Sequence, residues 1–279
     1  LERWAAINSG SGHGAGLARM AAELRATFSA AFPAAQSEEL AADAPGHNPP
    51  GVQALRFRLR PAAPLRVFLC GHYDTVYEAD DAFQTCRWLD PDTLNGPGTA
   101  DMKGGLVTLL AALQAFEQTP HAARIGWEIL LTPDEETGSH GTRALFEDAA
   151  RRHHFGFVFE PARPGGDIIH SRKGTGGAIV TCHGRAAHAA KIPNDGRSAI
   201  LGLAAYLLAA AKIPAELPGT LVNAGNIKGG TPATNVVPDF ARAELDLRVT
   251  KMSDREPLFA RLEGLAQEIG AAHEVKFDL

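Results

Sequence analysis

Three apolar runs in the first half of the chain end in turns that carry acids or a histidine, and this repeated ending constrains the fold most. Leu65 to Cys70 runs into Gly71-His72-Tyr73-Asp74-Thr75. Ile125 to Leu131 runs into Thr132-Pro133-Asp134-Glu135-Glu136-Thr137-Gly138-Ser139. Phe155 to Phe159 stops at Glu160-Pro161. A fourth acid, Asp101, follows the glycine-rich loop Asn95 to Ala100 and precedes an apolar helical pattern. Short apolar runs of this kind read as strands, and helical spacings separate them. Leu17, Met20, Leu24 and Phe28 mark one helix, Gly104 to Phe116 a second and Ser139 to Ala150 a third. Ala54 to Arg60 alternates apolar and charged residues, as a half-exposed or edge strand does. Strands alternating with helices predict an α/β fold with a mainly parallel sheet and helices on both faces. In such a sheet the strand ends converge on one crevice, where ligands bind.

The pattern changes after Lys173-Gly174-Thr175-Gly176-Gly177. Strands are expected at Ala178 to His183, Thr220 to Ile227, Asp239 to Val249 and Glu274 to Asp278. Helices are expected at Ser198 to Lys212, with Asn194 and Asp195 near its start, and at Ser253 to Gly270. Ser253 and Glu256 have the spacing of a capping box. The order βαββαβ is that of a ferredoxin-like domain. The chain therefore divides near Gly174, into 1–173 and 174–279.

Composition narrows the partners. Lys and Arg number 27 against 32 Asp and Glu, a net charge of −5, and no basic run is present, so nucleic acid is not expected. The longest apolar stretch, about Ser198 to Ala211, is shorter than the roughly 18 residues of a membrane span, so no membrane partner is expected. Cys70, Cys86 and Cys182 have no close metal spacing and fit a reducing compartment. A cytoplasmic location is expected, with the periplasm or secretion as the alternative if a leader has been removed.

One imidazole among several carboxylates, with no cysteine beside them, is a donor set suited to a hydrolytic metal centre, most often zinc. Taken singly, each position has an ordinary reading. His72 and Asp74 could be a polar strand end. Asp101 could be a helix N-cap. Glu135 and Glu136 could be a solvated first helical turn, and Glu160 could cap its strand in solvent. Taken together they are far more specific. His72 and Asp74, two apart on a strand, share a face, so one could bind a metal while the other orients it. Of Glu135 and Glu136, one could bind metal while the other moves a proton.

The segments Gly71 to Val76, Gly98 to Gly105, Asp134 to Ser139 and Phe159 to Pro161 resemble, in order, those of the di-zinc aminoacylase and carboxypeptidase family. That family includes glutamate carboxypeptidases, acetylornithine deacetylase and succinyl-diaminopimelate desuccinylase, and the Phe-Glu-Pro segment is most similar to the glutamate carboxypeptidase branch. The resemblance covers nearly the whole chain. It implies a zinc-exopeptidase-like first domain and a ferredoxin-like βαββαβ dimerisation domain. His72 and Glu160 would bind one zinc and Glu136 the other, with Asp101 bridging; cobalt or manganese could substitute. Glu135 would be the general base and acid, and Asp74 would support His72. Gly184 to Ala189 matches the motif whose histidine, here His188, stabilises the oxyanion in the partner subunit of a homodimer. Asn235 and Arg248 match substrate-holding positions, Arg248 gripping a carboxylate.

The implied activity is cleavage of an amide or peptide bond beside a carboxylate, in an N-acyl amino acid or short peptide. The family's last zinc ligand, a histidine, comes from a C-terminal segment that returns to the first domain. No residue up to Leu279 matches it, His273 included. The alternative is therefore a catalytically silent dimerisation or ligand-binding module.

Overall fold

The computed structural model describes residues 1–193 and 195–279; Asn194 lies outside the described residues. The chain forms two compact units, Leu1–Asp167 and Ile168–Leu279, which divide a few residues ahead of Gly174.

In the first unit the elements run α1 (Glu2–Ala5), α2 (Gly14–Ala31), β1 (Gln36–Ala41), β2 (Gln53–Leu59), β3 (Leu65–His72), β4 (Arg87–Asp90), β5 (Thr93–Asn95), α3 (Lys103–Glu117), β6 (Ile125–Thr132), α4 (Arg143–Arg152) and β7 (Phe155–Val158). The main sheet has the order β1-β2-β6-β3-β7, and β4 and β5 form a separate hairpin. Strands β6, β3 and β7 are parallel, whereas β1 and β2 join antiparallel. The sheet is thus mixed, with a parallel half that carries the acid-bearing ends.

Alternation along the strands supplies both faces. Leu55, Phe57, Leu69, Trp127, Ile129 and Leu131 pack with Leu17, Met20, Leu24 and Phe28 of α2 and with Leu106 and Leu109 of α3. Ala54, Phe68, Cys70 and Leu130 pack with Ala149 of α4. Two strand expectations need correction. Residues 54–60 do not form an edge: β2 lies between β1 and β6, and its charged Arg56 is buried because Glu38 and Glu128 pair with it. Residues 155–159 are not a buried strand: β7 is the sheet's edge, with Phe155, Phe157 and Val158 exposed.

In the second unit β8 (Gly174–His183), β9 (Ala187–His188), α5 (Ala199–Ala210), α6 (Ile213–Glu216), β10 (Thr220–Gly229), β11 (Val236–Val237), β12 (Phe240–Val249), α7 (Arg255–His273) and β13 (Lys276–Asp278) follow in turn. The antiparallel sheet has the order β10-β12-β8-β13, the ferredoxin-like arrangement expected. Val180, Cys182, Ala243, Leu245 and Leu247 meet Leu203 and Tyr206 of α5 and Leu258, Leu262 and Leu265 of α7. The stretch Ala199–Glu216 is long and apolar enough for a membrane span by composition. It is nonetheless two helices, and one face of α5 lies in this core. Helix α7 begins after a short turn with Asp254, not Ser253, at its N-cap, and no side chain closes a capping box there.

Candidate metal centre

Strand register brings the predicted ends together. His72 is paired with Thr132, and Cys70 with Val158. Phe159 N donates to Cys70 O, 3.2 Å, extending the pairing to the residue before Glu160. Glu160 therefore arrives beside His72, and Glu135 and Glu136 follow the end of β6. Asp101 enters from the start of α3, which approaches closely because two glycines remove the obstacle. A Cβ on Gly71 would lie 2.5 Å from Met102 Cε, and one on Gly105 would lie 1.8 Å from Phe159 O.

The buried His72 is the hub. Its Nε2 lies 3.0 Å from Asp101 Oδ1, 3.6 Å from Glu160 Oε1 and 4.0 Å from Glu135 Oε2. Two groups of donor atoms each fall within 4.8 Å of one another: His72, Asp101 and Glu136, and His72, Glu135 and Glu160. The resemblance pairs His72 with Glu160 and assigns Glu136 to the second ion. The geometry sets both glutamates of the 135–136 pair close to the imidazole.

Asp74, fully buried, does not point at this cluster of oxygens. Its Oδ1 lies 3.2 Å from His72 Nδ1 and accepts from Glu135 N, also at 3.2 Å. Its Oδ2 accepts from Glu136 N, 3.1 Å, and Ser11 Oγ, 2.9 Å. His72 Nδ1 also faces Asp74 O at 3.0 Å. One carboxylate thus fixes the ring of His72 and the backbone that carries both glutamates. Asp134 closes the loop behind them, accepting from Gly141 N at 2.8 Å and from Thr142 Oγ1 at 2.6 Å. Those bonds keep residues 134–142 out of a helix, so α4 starts at Arg143 instead of Ser139.

The charges are unbalanced. Among the described residues Asp101, Glu135 and Glu136 share no ion pair with an arginine or lysine. Burial raises Glu135 and holds Glu136 up at about 7, with the charge of His72 opposing the shift and the neighbouring carboxylates adding to it. Burial alone would lower His72, but hydrogen bonding to Asp74 and Glu160 and their charges override it and push the imidazole up to about 11. These carboxylates thus favour a proton on the imidazole around which they gather. A metal cation fits the same donor set and would displace that proton. Lys103, fully buried at the start of α3, is lowered to about 8 by burial, and its Nζ donates to Ile7 O at 2.8 Å.

In the second unit the structure places His188 and Asn235 side by side. Val236 pairs with His188, Ala189 N donates to Asn235 O at 2.9 Å, and Asn235 Nδ2 lies 3.5 Å from His188 Nε2. Ala190 N donates to His188 Nδ1 at 3.2 Å. Arg248 stands on β12, its Nε 3.0 Å from Asp246. The residues that sequence reasoning missed are Ser11 and Asp134, whose roles are contacts rather than motifs.

Residues 170–274 match the peptidase dimerisation domain, and residues 56–187 match peptidase family M28. Carboxypeptidase G2 of Pseudomonas sp. strain RS-16 is 28% identical over 210 residues, 72% of this chain and 49% of that protein. Succinyl-diaminopimelate desuccinylase of Ectopseudomonas mendocina is 31% identical over 229 residues, 75% of this chain and 59% of that protein. The chain is a homologue of these carboxypeptidases and desuccinylases. The family resemblance carried by its four motifs is thereby borne out. The chain spans about half to three-fifths of these relatives' length. The crystal structure of aminopeptidase PepT from Bacillus cereus shares the fold, with a TM-score of 0.80 at 21% identity over 99% of this chain and 72% of that one.

Proposed function

We propose that this protein is a zinc-dependent hydrolase that cleaves an amide or peptide bond beside a carboxylate, in an N-acyl amino acid or a short peptide. The observation that carries this reading is the convergence of His72, Asp101, Glu135, Glu136 and Glu160, held together from behind by Asp74. His72, Glu160, Asp101 and Glu136 would hold two zinc ions, with Asp101 between them. Bound there, zinc would polarise the scissile carbonyl and lower the pKa of the attacking water. Glu135, at the mouth of the cluster and raised by burial, takes the proton from that water and hands it to the leaving nitrogen. Asp74 keeps the His72 ring aimed and its Nδ1 protonated.

The second unit would supply substrate contacts. His188, with Asn235 beside it, would meet the oxyanion in the partner subunit's site. Arg248, held at Nε by Asp246, has both Nη groups available for a substrate carboxylate. A homodimer through this unit is supported by the exposed Leu201 and Leu208 of α5 and the exposed Ile227 on the edge strand β10. The unpaired Cys70, Cys86 and Cys182 favour a cytoplasmic location.

The test is hydrolysis of a panel of N-acyl amino acids and short peptides by the zinc-loaded protein, alone and as a dimer. Turnover that a chelator abolishes and zinc restores supports the reading. A dimer that binds no zinc and cleaves nothing would favour a silent binding module.

A further inference from the structure

The N-terminal segment before α2 is joined to the metal centre by contacts that the motifs do not predict. Asn8 Nδ2 lies 3.1 Å from Tyr77 O and Glu78 O and 2.8 Å from Gln84 Oε1, so it anchors the segment to the loop after Asp74. Thr75 N donates to Ser9 O at 2.9 Å, and Ser11 N donates to Thr75 O at 3.1 Å. Gly10 sits so close to that loop that a Cβ would fall 2.4 Å from Tyr77 O. Lys103 ties the start of α3 to Ile7 O on the same segment. The segment is therefore fixed on both sides, and of its two buried serine hydroxyls, those of Ser9 and Ser11, the second reaches Asp74.

That hydroxyl is Ser11 Oγ, 2.9 Å from Asp74 Oδ2 in a buried position. The carboxylate of Asp74 meets His72 Nδ1, Glu135 N, Glu136 N and Ser11 Oγ. The first three are elements of the centre itself. Ser11 comes from 63 residues away in sequence and is the one donor that belongs to none of them. We infer that Ser11 is a positioning residue: its hydroxyl fixes the rotation of the Asp74 carboxylate, and through it the His72 ring and the backbone carrying Glu135 and Glu136. This rests on the metal-centre reading. Without the hydroxyl, Oδ2 keeps one donor in place of two, and the carboxylate can turn. The ligands then lose preorganisation, not chemistry.

The experiment is a cobalt(II) titration of the purified protein, followed by visible absorption, with thermal melting of each metal-free variant beside it. Ser11→Ala is expected to weaken cobalt binding by about tenfold, the lower end of losses seen when a metal ligand's outer support is removed, and to shift the absorption bands. Ser11→Thr, which keeps the hydroxyl, is expected to retain most of the affinity. Ser11→Val, of the same shape without it, is expected to behave like Ser11→Ala. Cobalt affinity and spectrum in Ser11→Ala equal to those of the unaltered protein would overturn this inference alone, as would equal losses in the Thr and Val variants. Failure of both hydroxyl-free variants to fold would make the role structural and overturn it too. Failure of the unaltered protein to take up cobalt would overturn the metal-centre reading and this inference with it.

Discussion

Two clusters of charge lie on the same sheet, each built around a buried residue, and they are resolved in opposite ways. At the end of the parallel strands four carboxylates crowd one imidazole. Farther back along β6, Glu128 is as buried as His72, and it is enclosed by arginines. Arg56 Nε lies 3.3 Å from it, and Arg152 meets it at 2.7 and 3.1 Å. Glu38 pairs with Arg56 and Arg58, and Asp148 with Arg152, 2.8 Å. Hydrogen bonds that Arg152 donates to Glu128 and Asp148 hold its guanidinium well above its usual range. There each charge has its opposite within the chain, and the network is structural. Around His72, among the described residues, Asp101, Glu135 and Glu136 pair with no arginine or lysine, and Glu136 is raised instead. A buried acid says little about function; several acids gathered on one imidazole form a donor set that suits a cation.

The comparison can be pressed with substitutions. The largest effect is expected in catalysis. Glu135→Gln should lower turnover by about 10²–10⁴-fold, the usual worth of a general acid–base group, while zinc content by elemental analysis stays unchanged. Near-normal turnover would remove Glu135 from proton transfer. The next effect belongs to the other cluster. Glu128→Ala takes the shared partner from buried Arg56 and half-buried Arg152, which keep only Glu38 and Asp148, and should cost about 3 kcal/mol in urea unfolding, the lower end for breaking a buried pair, with zinc binding preserved in the protein that remains folded. Glu136→Gln should do the reverse: it should lower zinc content while leaving the metal-free melting temperature unchanged or higher.

A third, smaller effect is in pH. In the folded chain Glu136 is raised from 4.5 to about 7 and His72 from 6.5 to about 11. Both groups bind protons more tightly when folded, so both contribute stability that is present at low pH and lost as pH rises. The Glu136 contribution fades between 4.5 and about 7, and the His72 contribution between 6.5 and about 11. The melting temperature of the chelated protein should therefore fall on going from pH 6 to pH 9, by an amount on the order of a few degrees. Zinc should flatten that slope, because it takes the place of the proton. A chelated protein that melts higher at pH 9 than at pH 6 would contradict the assignment.

How far the sequence reveals this depends on the range of each interaction. His72, Asp101, Glu135, Glu136 and Glu160 were legible because each ends an apolar run or follows a glycine loop, and sheet topology does the rest. The βαββαβ order was legible for the same reason. Burial along the sheet was not. Phe155-Gly156-Phe157-Val158 reads as a core strand, and only its place at the edge exposes it. Strand β1, Gln-Ser-Glu-Glu-Leu-Ala, carries too little apolar character to announce itself, yet it covers β2 and supplies the Glu38 that neutralises Arg56. The support for Asp74 by Ser11, and the closure of the 134–142 loop by Asp134, depend on hydrogen bonds that no spacing encodes.

The central claim is that the cluster around His72 is a metal centre, and zinc content after exhaustive dialysis tests it most directly. The unaltered protein should retain zinc, and Asp101→Asn, which removes one of the two oxygens proposed to lie between the ions while keeping the side chain's shape, should lose it. No retained zinc in the unaltered protein, or equal zinc in both, would contradict the account.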